Sequence, residues 1–447
     1  MSATQHYAPP RDQLVSVLQS KSMPQGVKTG GLVLGVLGMV LFAVGAATGE
    51  ARAWQAFLVN WLFFTTIASA GVMFAAVQRI VTARWSRSIV RFLEGFVAFL
   101  PFAAIGLLII IFGGKSHIYP WWDLVGTGEL IHEKEVWFNH SFFWLRSIVV
   151  FGALLVLQLW FTWTSVRLDV GVTPEHGASW AAGMRARMRA GFGEERRELH
   201  STHSLQGKLA VIMAIVFGFG WCVLAWDHSM SLDFHFFSTM YGWQVFMGGW
   251  LVALMVWAIL LRWWKAQFPE LPGMVTDKHY HDVGKLGFAF TAFWGYITFS
   301  QFLIIWYGNL AEETHFFTLR LTGAWTTTTT IAAVLTFLIP FFGLLSVKAK
   351  LYSPTMILFA LSSIVGLWFT RYTEIYPSIY GTRVEHAPLG LWEAGITLGF
   401  LGIFAWSYAH FMDAFPKARV LLMTSPYRDE VQVPVDPRTM EPLPAHE

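Results

Sequence analysis

The chain has 447 residues, of which 55% are hydrophobic, 17% are aromatic and only 13% are charged. Soluble domains carry roughly 25% charged residues, so this chain has too few polar side chains to cover several water-soluble cores. The composition excludes a soluble multidomain protein and indicates a polytopic membrane protein. The formal net charge of +3 does not indicate a nucleic-acid-binding protein, because most Lys and Arg residues lie beside apolar segments, where membrane topology accounts for them.

Uncharged runs long enough to cross a membrane recur along the whole chain. A helix needs about 20 apolar residues to cross ~30 Å of hydrocarbon. Ten such runs lie at 29–49, 53–78, 95–114, 147–166, 209–226, 236–261, 286–311, 321–347, 351–370 and 394–412. Because the runs are continuous rather than alternating, they predict helices and not the strands of a membrane barrel. The predicted fold class is an all-α polytopic membrane protein with ten transmembrane helices.

The positive charges predict which side of the membrane the termini occupy. Of the 31 Lys and Arg residues, 24 fall in the terminal segments and the loops on the same side, and 7 fall on the other side. The positive-inside rule therefore places both termini in the cytoplasm. We expect a cytoplasmic N-terminal segment at 1–28, a membrane domain at 29–412 and a Pro-rich cytoplasmic tail at 413–447. The first 26 residues lack the apolar core of a signal peptide, so the first helix is expected to insert as its own signal. The tail is expected to be either an extended strap along a partner or disordered.

Cysteine and histidine usage limits the redox chemistry that this chain can carry. Cys222 is the sole cysteine, which excludes an intrachain disulfide, a thiolate-held iron-sulfur cluster and a CxxCH attachment for c-type haem. No predicted span has a central His, so a transmembrane b-type haem is not expected either. We expect no redox cofactor or metal on this chain, and any redox centre must belong to a partner.

Most candidate functional side chains lie at the ends of the predicted spans. The proton-path candidates are Glu94, Asp227, Asp233, His235, His281, Asp282, Glu312, Glu313 and Glu393. Carboxylates and imidazoles at a membrane surface can relay protons, since small environmental shifts bring them into the working pH range. The alternative for each residue is helix capping or pairing with an arginine, as between Glu94 and Arg91.

Two further sequence features are open to a functional and a structural interpretation. Hydroxyl and amide side chains of the seventh and eighth runs, including Thr291, Gln301 and the threonines at 326–330, either extend a wire of waters or form interhelical hydrogen bonds. The basic loop at 167–208 is expected to contact anionic lipid, with a partner-binding arm as the alternative.

Two stretches resemble a known family of membrane subunits. The stretch 281–314 contains HDVGKL, FWGY and FSQFLIIWYGNLAEET, and it resembles the seventh-span signature of the ActC and ActF membrane subunits of alternative complex III. The stretch 227–242, DHSMSLDFHFFSTMYG, is similar to the family's loop of the type DWxMSLxPHWFSTxYG. Length and the SLDxH loop make the chain more similar to the ActF type. The family is NrfD-like and is related to the polysulfide reductase membrane subunit.

The resemblance implies a specific architecture and assembly. It implies two four-helix bundles, spans 2–5 and 6–9, flanked by spans 1 and 10, in the cytoplasmic membrane of a bacterium. The implied complex is a quinol:cytochrome c oxidoreductase that oxidises menaquinol or ubiquinol. Its implied partners are an ActC-like homologous membrane subunit, an iron-sulfur subunit, and multihaem and monohaem cytochrome c subunits, with a terminal oxidase as a further electron acceptor.

The sequence is therefore compatible with three functions of the chain. The first is a membrane subunit that supports assembly and proton translocation and is not catalytic alone. The second is the quinol-binding subunit of the same type of complex. The third is a secondary transporter, since ten spans and parallel repeats also occur in that class. The absence of a charged site and of an interrupted helix at mid-membrane argues against a transporter.

Overall fold

The computed structural model describes residues 9–128, 130 and 134–431. Ten helices in this part of the chain are long and apolar enough to cross a membrane, and none of the described residues forms a β-strand. We number them α1 (Gln25–Ala47), α2 (Ala51–Ile80), α3 (Arg91–Ile118), α4 (His140–Val172), α5 (Glu195–Leu232), α6 (Thr239–Gln267), α7 (Asp277–Gly308), α8 (Gly323–Gly343), α9 (Ser353–Tyr380) and α10 (Leu391–Ala414). The all-α polytopic fold predicted from the sequence is confirmed.

Several helices extend beyond the uncharged runs that predicted them. The fifth run ends at residue 226, whereas α5 continues to Leu232, and the ninth run ends at residue 370, whereas α9 continues to Tyr380. A run defined by its lack of charge stops at the first ionisable residue, but the backbone stays helical where that side chain finds a partner inside the protein. As a result, Asp227 lies inside α5, and Arg371 and Glu374 lie inside α9.

The helices pack as two groups of four with a shared centre. Helices α2 to α5 contact one another, α6 to α9 contact one another, and α2 also packs against α6, α9 and α10. All residues of an apolar 18-residue stretch of α2 are buried, in contrast to 28% of such a stretch in α7 and 22% in α8. The central position of α2 explains why its sequence is apolar on all sides, because every face meets another helix.

Helices α1 and α10 cross at glycines. A Cβ atom added to Gly38 would lie 2.3 Å from the Cα atom of Gly399, and one added to Gly402 would lie 2.5 Å from the backbone nitrogen of Gly35. Small residues allow two membrane helices to approach this closely and gain van der Waals contact. This crossing attaches the first and last spans to each other at the side of the first bundle.

Several spanning helices contain irregular turns, most of them in α3 and α8. Helix α3 includes a 3₁₀ turn at Gly95–Phe99 and a π turn at Ile110–Gly114, and α8 includes a π turn at Val334–Leu338. In α8 the π turn ends two residues before Pro340, which has no N–H to donate to the preceding turn. The sequence alone indicated no interrupted helix, because proline and glycine are common in membrane spans.

The N-terminal helix Arg11–Ser20 and residues 415–431 lie at the same end of the helix bundle, which we call the terminal face; the other end is the opposite face. Residues 415–431, the C-terminal strap, run across the terminal face and include the short helix Val420–Thr424. Arg11, in the N-terminal helix Arg11–Ser20, donates to Thr424 at 2.9 Å and to Glu195 at 2.9 Å. The Lys417 ammonium reaches the Leu18 carbonyl at 3.4 Å, and burial lowers the pKa of Lys417. The strap thus packs on its own chain, and the rest of the predicted tail, 432–447, lies outside the described residues.

Candidate functional site

A buried ion pair joins α4 and α5 at the opposite face of the first bundle. The guanidinium of Arg146, near the start of α4, donates to both carboxylate oxygens of Asp227 at 2.7 and 2.6 Å. Both side chains are almost fully buried. The guanidinium also lies over the rings of Trp137 and Phe142, at 3.8 and 4.5 Å from their centres. The ion pair holds the Asp227 carboxylate in a buried position. A buried ionisable residue in a membrane protein is costly and is therefore a candidate for proton transfer.

His228, the next residue, lies in the same site and is fully buried. Its Nδ1 atom lies 2.6 Å from the hydroxyl of Tyr119, which directly follows α3. Its Nε2 atom has no hydrogen-bond partner among the described residues. The rings of Trp61 and Phe143 pack against the imidazole at 5.4 Å each. The imidazole therefore has one nitrogen in a hydrogen bond and one free to meet a water or a ligand.

The terminal-face end of the same bundle contains a larger charge network. Arg91 binds Glu94 one turn along α3, at 2.6 Å, and Asp169 near the end of α4. Arg419, from the strap, binds Glu94 as well, and the Leu421 backbone N–H donates to Asp169 at 2.9 Å. Two arginines thus balance two carboxylates in a buried cluster, which avoids the high cost of an unpaired charge.

A polar group lies between these two ends, in the middle of the bundle. The Gln158 side-chain nitrogen of α4 donates to the Ser69 hydroxyl of α2 at 2.8 Å, and the Trp221 indole N–H of α5 donates to the same hydroxyl at 2.9 Å. The Gln158 side-chain oxygen has no partner within the described part of the chain. The first bundle therefore has buried polar groups near both faces and at its centre. The sequence predicted the acids at its ends, Glu94 and Asp227, but placed the hydroxyl and amide groups of a possible water wire in spans seven and eight.

The threonines of α7 do not bridge helices. Thr291 donates to the Gly287 carbonyl at 2.8 Å and Thr298 donates to the Trp294 carbonyl at 2.9 Å, both one turn back in the same helix. Such bonds satisfy the hydroxyl locally. The Gln301 amide is buried, and neither of its polar atoms has a partner among the described residues.

The second bundle also has an arginine and a buried acid at the opposite face, but the arginine binds the backbone of the acid rather than its carboxylate. Arg320, just before α8, donates to the Glu374 carbonyl at 2.9 Å and to the Ser378 hydroxyl at 2.6 Å. The Glu374 carboxylate itself binds Arg371, one turn back in α9, and Arg371 also donates to the Val245 carbonyl at 2.6 Å. Arg146 lies near the start of α4 and Arg320 lies just before α8, and these are the third helices of their bundles. Asp227 and Glu374 lie near the ends of the fourth helices, α5 and α9. The sequence analysis did not include Glu374 among the proton-path candidates.

Glu393 forms a further ion pair, with Arg52, which shares no residue with the pairs and the network described above. Its carboxylate accepts from Arg52 at 3.1 and 2.7 Å, from the Tyr376 hydroxyl at 2.8 Å and from the Gly390 backbone N–H at 2.8 Å. It thereby joins the starts of α2 and α10 to the end of α9. Four hydrogen bonds from three other residues satisfy this carboxylate, as expected for a structural anchor.

The other candidates on the opposite face are more exposed and gather near Lys134. The Lys134 ammonium donates to the Phe234 carbonyl at 2.7 Å and to the His235 carbonyl at 3.2 Å. Burial lowers the pKa of Lys134, and the negative charges of Asp233 and Glu312 oppose that shift. Glu313, next to Glu312, is partly exposed. These groups form a surface cluster, separate from the buried Asp227.

His281 and Asp282 lie near the start of α7 at the terminal face and are partly exposed. Asp282 pairs with Lys285 one turn along the helix at 2.7 Å. Neither residue contacts the network around Glu94. Their positions fit solvated groups at the start of a helix better than a continuous path with Glu94.

Sequence reasoning missed several members of the buried networks. They are Tyr119, Arg146, Asp169, Arg320, Arg371 and Arg419. The arginines were used only to predict the membrane topology. An arginine at the end of a span with no acidic residue in its own loop could have indicated an acidic partner on another helix. No group of three or more His, Cys, Asp or Glu side chains suited to a metal ion occurs in 9–128, 130 and 134–431.

Comparison of the chain with protein-family models and with curated proteins gives no match. The site is therefore interpreted from its own geometry.

Proposed function

We propose that this chain is a cofactor-free membrane subunit of a respiratory quinol-oxidising complex of the alternative complex III type. In this proposal the chain lies in the cytoplasmic membrane of a bacterium with both termini inside. It supports assembly of the complex and provides a route for protons. The electrons pass through iron-sulfur and c-haem centres on partner subunits.

The observation that carries the proton role is the series of buried polar groups along the first bundle. Asp227 and His228 lie at one end, Ser69 and Gln158 lie at the middle, and the Glu94 network lies at the other end. Glu94 near the start of α3 and Tyr119 just past its end are separated by about 35–40 Å along the helix, enough to cover the hydrocarbon layer. Ionisable groups buried in a membrane protein are costly and commonly mark ion or proton pathways.

Assembly with a partner is supported by the surface near the two motifs. The stretches 227–242 and 281–314 pack against each other, because Phe236 and Ile305 belong to one buried cluster. In the same cluster the Phe236 ring stacks at 3.9 Å on the ring of Phe316, two residues after the stretch 281–314 ends. Beside this contact, Trp306, Tyr307 and Leu310 expose 63%, 86% and 58% of their surface. Large exposed aromatic and aliphatic side chains near the end of a span are typical of an interface with another subunit or of the membrane interface.

A second candidate function, quinol binding, is favoured by one observation. The free Nε2 atom of His228 lies in a buried site with the Tyr119 hydroxyl and the Asp227 carboxylate. Groups of this kind could accept the protons that leave a quinol as it is oxidised. A photoreactive quinone analogue that labels peptides around His228 would favour this function, and labelling confined to a partner subunit would contradict it.

The first experiment is affinity purification of the tagged chain from membranes of its native host in mild detergent. We expect iron-sulfur and multihaem cytochrome c subunits to be identified by mass spectrometry, together with the visible absorption of reduced c-type haem. A chain that purifies alone and colourless would contradict the proposal and favour a transporter. An unrelated membrane protein with the same tag is the control for adventitious haem proteins.

The proton role is tested separately with a charge-neutral double variant. Arg146→Met combined with Asp227→Leu removes the buried pair without leaving one charge unpaired, so the complex should still assemble. We expect quinol-driven proton release by the complex in sealed vesicles to fall, as measured with a pH-sensitive dye. Lys265→Met with Asp277→Leu, which removes the exposed pair of 2.9 Å, is the matched control. Unchanged proton release in the Arg146 and Asp227 variant would exclude this site from the path.

A further inference from the structure

An apolar crevice of about 580 Å³ opens in the half of the membrane next to the terminal face. Its walls are the beginning of α3, the later part of α4 and the end of α10, represented by Pro101, Trp163 and Trp406. A short helix, Ala182–Arg189, covers the end nearest the terminal face, where Met184 and Met188 line the crevice. The volume falls within the roughly 300–1,000 Å³ of small-molecule sites.

Polar atoms lie inside this otherwise apolar crevice. The Thr162 side chain is 3% exposed and lines the crevice, and its hydroxyl has no hydrogen-bond partner among the described residues. The His410 Nδ1 atom lies 2.8 Å from the Trp406 carbonyl, and its Nε2 atom makes no hydrogen bond within the described chain. A buried hydroxyl without a partner is costly unless a ligand or water accepts from it.

The short covering helix carries three arginines that have different surroundings. Arg185 is buried and donates to the Ala178 and Ala414 carbonyls at 2.9 Å each. Arg189 donates to the Val170 carbonyl at 3.1 Å. Arg187 is exposed and makes no hydrogen bond or ion pair in the described part of the chain. It lies one turn from Met184, so it is next to the mouth of the crevice, where Trp180 is 54% exposed.

We propose that this crevice binds one anionic glycerophospholipid from the leaflet of the terminal face. The Arg187 guanidinium meets the phosphate, which explains the one cation of the covering helix that the protein leaves unpaired. The Thr162 hydroxyl donates to an ester carbonyl of the lipid. One acyl chain fills the crevice between α3, α4 and α10.

This assignment goes beyond the proposed respiratory function and does not depend on it. A neutral quinone would also accept from Thr162 but would give Arg187 no counter-charge, so the observations favour the phospholipid. The lipid would hold the covering helix against the end of α10, directly before the strap begins.

The test is native mass spectrometry of the purified full chain with dioleoyl phosphatidylglycerol and dioleoyl phosphatidylcholine added in turn. We expect one phosphatidylglycerol to stay bound with clear preference over phosphatidylcholine. Arg187→Gln should reduce that preference about fivefold, because one basic residue near an anionic lipid surface contributes about that factor. Arg197→Gln, an exposed arginine outside the crevice, should leave the preference unchanged.

Two further variants test the crevice itself. Ala98→Phe adds a ring to its wall and should abolish the retained lipid. Thr162→Val keeps the shape and removes the hydroxyl, so it should weaken retention without unfolding the chain even if Ala98→Phe does not fold. Equal retention of both lipids, unchanged retention in Thr162→Val and Arg187→Gln, or displacement of the lipid by a soluble quinone analogue would each overturn the assignment.

Discussion

Arg419 binds Glu94 across 325 positions of sequence, from the C-terminal strap to the first turn of α3. Glu94 also binds Arg91, and Arg91 binds Asp169. The strap therefore supplies the second positive charge that balances two buried carboxylates. Through this contact, a tail that follows the last span becomes part of the first bundle.

Removing that contact should destabilise the chain. Arg419→Met leaves a net negative charge in a buried network, for which breaking one partner typically costs about 3–5 kcal/mol. We expect a clear fall in the thermal unfolding midpoint of the full chain in detergent, measured by scanning fluorimetry. Arg419→Met with Glu94→Leu keeps the charges balanced and should recover much of the loss. Arg197→Met is the control for loss of an exposed arginine, and a double variant as unstable as the single variant would contradict the charge-balance explanation.

Two variants of Glu393 separate the contribution of its ion pair with Arg52 from that of its other hydrogen bonds. Glu393→Gln keeps one of the two acceptor oxygens, which serve Tyr376 and Gly390 separately, and loses the ionic contact with Arg52, which is partly exposed and can be solvated. We expect a loss of about 1–2 kcal/mol, compared with about 2–4 kcal/mol for Glu393→Ala, which leaves buried donors without a partner. Thermal unfolding of both variants is the measurement. Equal losses would show that charge, rather than the set of hydrogen bonds, dominates this anchor.

The contact between α1 and α10 depends on glycine. Gly38→Ala places a methyl group against the Gly399 backbone and should cost about 1–3 kcal/mol by overpacking. Gly30→Ala, on the same helix, meets no atom within 4 Å and should be neutral. The thermal unfolding midpoints of the two variants give the comparison. Similar midpoints would mean that the two helices can separate without loss.

The orientation in the membrane can be tested because the native cysteine is buried. Cys222 should react slowly with a membrane-impermeant maleimide in the native protein. Gln13→Cys lies on the terminal face and Glu385→Cys on the opposite face, and both positions are exposed. In intact cells we expect labelling of Glu385→Cys alone, with Gln13→Cys labelled only after the cells are opened. The reverse pattern would contradict cytoplasmic termini.

The candidate site was only partly predictable from the sequence. Asp227, Glu94 and Glu393 were identified because each is an acid at the end of an apolar run, and all three are buried. Asp233, His235, His281, Asp282, Glu312 and Glu313 have the same local pattern but lie at the surface or partly exposed. The position of a residue at the end of an apolar run therefore does not predict whether it is buried, because burial depends on which helices pack against the residue.

The sequence by itself determined the number of spans, because a continuous apolar stretch of the right length has few alternatives to a membrane helix. It also excluded an intrachain disulfide and a thiolate-held iron-sulfur cluster, since Cys222 has no second cysteine. Only the tertiary structure decided which arginine meets which acid. Arg146 with Asp227 and Arg419 with Glu94 lie 81 and 325 positions apart, and a buried charge selects its partner by proximity in space rather than by spacing along the chain.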